Sequence, residues 1–273
     1  MFAAARAGLP TMIHEQNAVL GRANTMLAPR VGVIATSFAS VTGLRAGDAP
    51  KAVRTGNPVR PAAAALRDSP YLRPGTDGLL ITGGSQGARV LSDVVPAAIA
   101  LLPGAVRARL GIVQQARPED CRRVAEAYRD LAITAEVKPF FDDLPARIAA
   151  ASLVVARAGA STITELTTIG RPAILVPYRF AADDHQLANA NALGHAGAAW
   201  VMPETAFTAS ALAERLASLL EDGGGDGGAL AAAAGAARAM AMPDATALLA
   251  DQVERIARDN GFAPRSQVRR QAA

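Results

Sequence analysis

Short, almost wholly apolar runs alternate along this chain with longer, alanine-rich segments. The runs lie at residues 31–36, 79–82, 111–114, 153–156 and 173–176, and a weaker one lies at 10–13. Continuous apolar runs are typical of strands buried on both faces of a parallel sheet. Between them, apolar residues recur at the spacing of helices that cover such a sheet. The pattern therefore predicts an α/β fold made of strand-helix-strand units.

One predicted helix contains a proline. Apolar residues from Val90 to Leu102, including Leu101, recur at helical spacing and predict a buried stripe. Pro96 lies in the middle of this stripe, where a proline is expected to kink or end a helix. Two further helices are predicted near the end of the chain, at residues 229–240 and 248–257.

Composition excludes several classes of protein. The 273 residues are 51% hydrophobic and 19% charged with a net charge of +4, which is typical of a folded chain rather than a disordered one. Aromatic residues make up 4%, too few to favour base stacking, so nucleic acid is not an expected partner. The uncharged stretches are too short to span a membrane, and the first ten residues do not resemble a signal peptide. The single Cys121 excludes an internal disulfide.

Proline and glycine divide the chain into segments. The stretch Asn57-Pro58-Val59-Arg60-Pro61 predicts a stiff, extended joint, because each proline disfavours helix in the residue before it. We expect an N-terminal domain at residues 1–57, a larger domain at 58–241, a returning C-terminal helix at 242–263 and a disordered tail at 264–273. Residues 1–57 contain one convincing strand and one weak one, so this domain is expected to be incomplete.

The clearest local motif is the glycine-rich turn Gly83-Gly84-Ser85-Gln86-Gly87 between a predicted strand and a predicted helix. Glycines allow a ligand to approach the backbone, and a helix start offers free N–H groups to a phosphate. A tight turn with Ser85 as helix N-cap is an equally good interpretation. The turn lacks both the Gly-x-Gly-x-x-Gly pattern and the P-loop lysine, which disfavours a dehydrogenase or a P-loop NTPase.

A second turn of the same kind, Arg157-Ala158-Gly159-Ala160-Ser161-Thr162, precedes Glu165. Two such turns at the carboxyl ends of parallel strands can line one crevice. The carboxylate of Glu165 could accept hydrogen bonds from two ribose hydroxyls. Alternatively, Thr162 and Glu165 have the spacing of a capping box, and spacing alone favours the cap.

Two other polar clusters have alternative interpretations. Asp183-Asp184-His185 could gather a cation, but acids at a helix N-terminus are the simpler explanation. His14-Glu15-Gln16-Asn17 follows the weak strand and indicates a polar site bordering a cleft, or else a loop with Asn17 as helix N-cap.

Six motifs in one order resemble those of a known family from about residue 10 to residue 257. They are His14-Glu15-Gln16-Asn17, Gly56-Asn57-Pro58-Val59-Arg60, Gly83-Gly84-Ser85-Gln86-Gly87-Ala88, Phe141-Asp142-Asp143, Arg157-Ala158-Gly159-Ala160-Ser161-Thr162 with Glu165, and His185-Gln186 with Asn189-Ala190. The chain resembles the MurG family, the bacterial glycosyltransferases that make lipid II. The resemblance implies a GT-B fold, in which two Rossmann-like domains face each other across a cleft, the N-terminal one being incomplete in this chain.

The resemblance also implies an activity, its partners and a location. N-acetylglucosamine would pass from UDP-N-acetylglucosamine to lipid I with inversion, without a cofactor or a nucleotide-bound metal. Further expected partners are an anionic inner-membrane surface and proteins of the cell-wall or division machinery. The enzyme would be peripheral on the cytoplasmic face of the bacterial inner membrane. The alternatives are a truncated, non-catalytic UDP-N-acetylglucosamine-binding module and, with less support, a UDP-sugar epimerase.

The resemblance assigns roles residue by residue, and it reverses the preference for Glu165 as a cap. Glu165 would hold the ribose hydroxyls, and Gln186 the sugar hydroxyls. The expected donor-binding residues are Asn17, Arg60, Ser85, Phe141, Ala160, Ser161, Thr162, Glu165 and Gln186. Phe141 would meet uracil through its backbone, and Asn17 would reach the donor from the other domain. His14 and Glu15 would lie on the acceptor side, and no catalytic base is assigned.

Overall fold

The computed structural model describes residues 1–71, 77–84, 87–221 and 228–261. The chain forms two compact units, of which the first combines Met1–Pro58 with Met242–Ala273 and the second is Val59–Ala241. The predicted tail at residues 264–273 lies outside the described residues. No helix in the described ranges has both the length and the apolar character that crossing a bilayer requires.

Strands and helices alternate along most of the chain. The strands are β1 (Met12–Glu15), β2 (Val33–Thr36), β3 (Ala52–Arg54), β4 (Asp77–Thr82), β5 (Leu110–Gln115), β6 (Ala135–Lys138), β7 (Leu153–Ala156), β8 (Ala173–Leu175) and β9 (Ala199–Val201). The helices are α1 (Phe2–Arg6), α2 (Arg22–Leu27), α3 (Pro61–Ala64), α4 (Arg89–Ala100), α5 (Gly104–Arg107), α6 (Pro118–Asp130), α7 (Leu144–Ala150), α8 (Ala160–Ile169), α9 (His185–His195), α10 (Ala209–Glu221), α11 (Ala229–Ala239) and α12 (Ala245–Asp259).

The first unit contains a small parallel sheet in the order β1-β2-β3. Ile13 pairs with Ile34 across β1 and β2, and both side chains are buried. Leu20 and Val31 complete the centre of a small apolar cluster. Helix α12 packs against β2 although it follows the second unit in sequence. The first unit is therefore built from two distant parts of the chain.

A glycine allows the joint after β3 to lie close to the start of α12. Gly56 has a φ of +78°, in the left-handed region that favours glycine. A Cβ atom there would overlap the side chain of Met242 and contact that of Ala245. The residue is therefore required both by its backbone conformation and by the close approach of the returning segment.

The second unit is built on a six-stranded parallel sheet in the order β6-β5-β4-β7-β8-β9. The chain starts in the middle with β4, adds β5 and β6 on one side, and then crosses to β7, β8 and β9 on the other. This is the strand order of a Rossmann sheet, and its switch point lies between β4 and β7. Leu80 pairs with Val154 at this point.

Alternate residues of the central strands pack on opposite faces of the sheet. Leu79, Ile81, Leu153 and Val155 belong to the main apolar cluster, together with buried residues of α4, α6 and α10. The neighbouring residues Leu80 and Val154 are also almost fully buried. Burial on both faces explains why these strands lack polar alternation in the sequence.

Pro96 does not break α4, which runs unbroken from Arg89 to Ala100. A proline lacks the N–H that would normally bond to the carbonyl four residues earlier. Here that carbonyl, on Ser92, accepts a hydrogen bond from Nη1 of Arg123 instead, at 3.4 Å. The prediction that Leu101 is buried is also wrong: the helix ends at Ala100, and Leu101 is 60% exposed.

Candidate functional site

The turns after β4 and β7 lie side by side in the second unit, because these strands are neighbours in the sheet. The β4 turn starts with Gly83 and Gly84, and the β7 turn ends at Gly159, immediately before α8. In open α/β sheets, ligands bind in the crevice outside the carboxyl ends of the strands at the switch point. The structure therefore brings the two predicted phosphate-binding turns to one edge of the sheet.

Glycine is required at several positions of the β4 turn. A Cβ atom on Gly83 would overlap the backbone nitrogen of Ala88. Gly84 and Gly87 have φ values of +76° and +66°. Ser85 and Gln86 lie outside the described residues. The described part of the turn is thus held in a tight conformation that side chains would disrupt.

The β7 turn leads into an open helix start. Gly159 is the N-cap of α8, and no side chain in the described part of the chain caps this end. Ala160, Ser161 and Thr162 form the first helical turn and are half-buried or exposed. Their N–H groups and the partial positive charge of the helix end are suited to an anion.

Glu165 lies one turn further along α8 and is paired with Arg60. The carboxylate accepts hydrogen bonds from Arg60 Nε at 2.7 Å and Nη2 at 3.0 Å, and the Glu165 side chain is 7% exposed. The capping box predicted from spacing is wrong: α8 begins at Ala160, so Thr162 is already inside the helix. The carboxylate raises the pKa of the Arg60 guanidinium, mainly through the hydrogen bond.

Buried polar side chains fix the β7 turn to its neighbours. Arg157 donates to the carbonyl of Val176 at 3.0 Å and forms an ion pair with Glu204 at 2.5 Å. Asn189 of α9 is fully buried and donates to the carbonyl of Ala158 at 3.1 Å. These residues hold the strand end from both sides, so the start of α8 has a defined position.

Gln186 lies in the first turn of α9, after β8. Its Oε1 accepts a hydrogen bond from the backbone N–H of Tyr178 at 3.0 Å. Asp183 and Asp184 precede the helix with φ values of +53° and +51°, and Asp184 is its N-cap residue. Within the described ranges, no group of three or more acidic, histidine or cysteine side chains could hold a metal ion.

The segment after β6 contains Phe141 and leads into α7. Phe141 is 5% exposed, and the Arg147 guanidinium lies over its ring at 4.2 Å. Arg147 also forms ion pairs with Glu136 at 2.5 Å and Asp143 at 2.7 Å. Bonds from Arg147 and Lys138 lower the pKa of Glu136 to about 2.

In the first unit, the Glu15 carboxylate organises the loop after β1. Its oxygens accept hydrogen bonds from the backbone and side chain of Asn17, from the Gly21 N–H at 2.8 Å and from Asn24 Nδ2 at 2.9 Å. Glu15 is 3% exposed, and these donors satisfy its buried carboxylate. Asn17 is not a helix N-cap, because α2 begins at Arg22 with Gly21 as its N-cap.

His14 links β1 to the joint that follows β3. Its Nε2 lies 3.0 Å from the Gly56 carbonyl, which can only accept, so Nε2 carries the proton. The Ser37 hydroxyl lies 3.3 Å from the same nitrogen. Burial is the largest influence on the imidazole and lowers its pKa, which favours the neutral form of His14.

Known proteins resemble this chain in both sequence and fold. The model of the glycosyltransferase family 28 C-terminal domain matches residues 78–247. A relative from Rhodospirillum centenum is 54% identical over 256 residues, which are 93% of this chain and 66% of the relative. One from Paramagnetospirillum magneticum is 56% identical and covers 93% of this chain and 68% of the relative. The chain belongs to the MurG family of glycosyltransferases.

The two relatives share one name, UDP-N-acetylglucosamine--N-acetylmuramyl-(pentapeptide) pyrophosphoryl-undecaprenol N-acetylglucosamine transferase. The chain spans about two thirds of their length. A crystal structure of Acinetobacter baumannii MurG is similar with a TM-score of 0.77 and 31% identity, covering 93% of this chain and 70% of that one. The kitacinnamycin glycotransferase, at 16% identity and a TM-score of 0.63, shares the fold. The predicted family and the GT-B class of α/β fold are confirmed.

Proposed function

We propose that this chain binds UDP-N-acetylglucosamine at the carboxyl edge of the second unit's sheet and transfers N-acetylglucosamine to lipid I. The observation that carries the proposal is the buried carboxylate of Glu165, one turn inside the open start of α8. A nucleoside diphosphate has the matching groups, namely a ribose diol for the carboxylate and phosphates for the helix start. The names of the MurG relatives supply the two substrates.

Arg60 and Glu165 exchange partners when the donor binds. Arg60 engages both Glu165 oxygens, and in this proposal the ribose hydroxyls take the place of the guanidinium on the carboxylate. Arg60 is the more mobile partner because its side chain is 51% exposed. Once released, it carries its charge to the donor pocket, where the diphosphate also meets Ser85 and the N–H groups of residues 160–162.

The remaining donor contacts are proposed from the family's motifs. The backbone at Phe141 meets uracil, since the ring itself is buried beneath Arg147. Gln186 binds the sugar hydroxyls with its side-chain amide, whose nitrogen is a donor. Asn17 is proposed as a further donor contact, and His14 and Glu15 as residues of the acceptor side.

The chemistry requires stabilisation of a departing anion. The C4 hydroxyl oxygen of the acceptor sugar attacks C1 of N-acetylglucosamine, and the bond from C1 to the phosphate oxygen breaks with its electron pair leaving on UDP. The anomeric centre is inverted, and the hydroxyl proton passes to a general base. The N–H groups of α8 and the Arg60 guanidinium face the negative charge as it develops, the role that a divalent cation has in other transferases.

Two measurements test the proposal. Saturating UDP should raise the melting temperature of the chain, because a ligand that binds only the folded state stabilises it. In the second measurement, the chain should transfer radiolabelled sugar from UDP-N-acetylglucosamine to a lipid I analogue. An absent thermal shift would refute both binding and transfer. A thermal shift without transfer would instead establish the alternative, a non-catalytic donor-binding module.

We also propose that the first unit contacts an anionic membrane surface on the cytoplasmic face, where lipid I would be reached. Phe2, Leu9 and Met26 are 47%, 47% and 59% exposed. Arg6 and Arg30 are exposed near them, and the Arg30 guanidinium lies 5.0 Å over the Phe2 ring. Apolar side chains among cations suit an interface of acyl chains and acidic headgroups. Sedimentation with vesicles containing phosphatidylglycerol, but not with purely zwitterionic ones, is expected.

A further inference from the structure

Gln115, the last residue of β5, uses its whole side-chain amide to join two loops. Its Oε1 accepts hydrogen bonds from Thr82 Oγ1 at 2.9 Å and from the Gly83 N–H at 3.2 Å. Its Nε2 donates to the Gly84 carbonyl at 2.9 Å and to the Pro139 carbonyl at 3.2 Å. Gln115 is 6% exposed, and all four hydrogen-bonding positions of the amide are filled.

The partners belong to loops with different proposed tasks. Thr82, Gly83 and Gly84 start the glycine turn after β4, which faces the diphosphate in the proposed function. Pro139 starts the segment after β6 that leads to Phe141, which meets uracil. Strand β5 lies between β4 and β6 in the sheet, so its last side chain is placed to reach both loops.

We propose that Gln115 is a positioning residue for the nucleotide donor: it fixes the diphosphate turn relative to the base-binding segment. This inference rests on the proposed function. A ligand that spans both loops gains affinity when their spacing is already set, because less ordering is needed on binding. Three of the four bonds involve backbone atoms of Gly83, Gly84 and Pro139, so the amide acts directly on the paths of the loops.

The adjacent Gln114 offers a matched control. It is fully buried on the opposite face of the same strand, where Oε1 accepts a hydrogen bond from Tyr128 and Nε2 lies 3.5 Å from the Leu91 carbonyl. Those partners belong to helices α6 and α4, which contribute buried residues to the main apolar cluster. The two glutamines thus share strand, size and burial, but only Gln115 bonds to the two loops.

The test compares Gln115→Met with Gln114→Met in the full chain, with calorimetric titration of UDP. Gln115→Met should weaken UDP binding by about tenfold or more, whereas Gln114→Met should change it by less than about threefold even where its melting temperature falls. Equal UDP affinity in Gln115→Met and the native chain would overturn the inference, as would equal losses in both variants. A native chain that does not bind UDP would instead refute the proposed function.

A second variant provides a readout that a purely structural role would not affect. Gln115→Glu keeps the acceptor oxygen but places a second oxygen against the carbonyls of Gly84 and Pro139. Burial raises the pKa of such a carboxyl group, and the protonated form regains one donor. The ratio of variant to native UDP affinity should therefore rise as the pH falls from 8 to 6. A ratio that is constant across this range would count against the positioning role.

Discussion

Replacing Glu165 by glutamine tests the ribose contact without changing the size of the side chain. The native carboxylate can accept a hydrogen bond from each ribose hydroxyl, whereas the amide can accept through one atom only. The variant also loses the charge that holds Arg60 at 2.7 and 3.0 Å. We expect Glu165→Gln to fold normally and to bind UDP more weakly.

The magnitude follows from the two contacts that change. Hydrogen bonds to a charged group contribute about 1.5–3 kcal/mol and neutral ones about 0.5–1.5 kcal/mol, so two ribose bonds lose about 2 kcal/mol together. Arg60 is easier to displace in the variant, which offsets about 0–1 kcal/mol of this loss in binding free energy. The offset is small because a half-exposed ion pair contributes little. The net loss is about 1–2 kcal/mol, or about 5- to 30-fold in Kd.

Calorimetry with UDP and 2′-deoxy-UDP measures this contact directly. Native protein should prefer UDP clearly, and Glu165→Gln should lose most of that preference. Glu126→Gln is the control, because Glu126 is also paired with an arginine Nε, at 2.9 Å, but on the exposed surface of α6. If Glu165→Gln keeps both the native UDP affinity and the native preference for the 2′-hydroxyl, the carboxylate does not hold the ribose.

Three further predictions concern Gly83, Gly56 and Glu136. Gly83→Ala should reduce UDP affinity by about tenfold or more, because its Cβ would overlap the backbone of the turn; calorimetry checks this. Gly56→Ala should lower the free energy of unfolding, measured with urea, by about 2 kcal/mol, because its Cβ would overlap the side chain of Met242. Gly8→Ala should lower it distinctly less, because Gly8 also has a positive φ but a Cβ there would meet open space. Glu136, with its pKa lowered to about 2 from 4.5, should stabilise the fold fully above pH 4.5 and lose this contribution as the pH falls toward 2. Arg147→Ala should move that carboxyl pKa back toward 4.5 in an NMR titration, and an unmoved pKa would show that the ion pair is not its cause.

The sequence predicted the interior of the sheets better than their edges. Strands β2, β4, β5, β7 and β8 were expected from apolar runs, and all five are present. Strands β3, β6 and β9 were missed, and each lies at the edge of its sheet. In β6, for example, Glu136 and Lys138 interrupt the apolar pattern, because an edge strand need not be buried on both faces.

The candidate site depended on the family resemblance more than on local pattern. Spacing alone favours Glu165 as a helix cap, which is wrong: α8 begins at Ala160, and the carboxylate is paired with Arg60, 105 residues away in sequence. Gln115 was missed for the same reason: it bonds to Thr82 and Pro139, which come from two other strand ends. Hydrogen bonds between distant residues leave no periodic signal, so only the assembled sheet reveals them.

The division of the first unit between two distant stretches of chain has a consequence for its biosynthesis. A ribosome completes residues 59–241 before it makes α12, which packs against β2 and approaches Gly56. The nascent second unit can therefore bury its core while the small sheet of the first still lacks a covering helix. We expect the second unit to become protease-resistant early in translation, and the first only after Asp259 has left the exit tunnel.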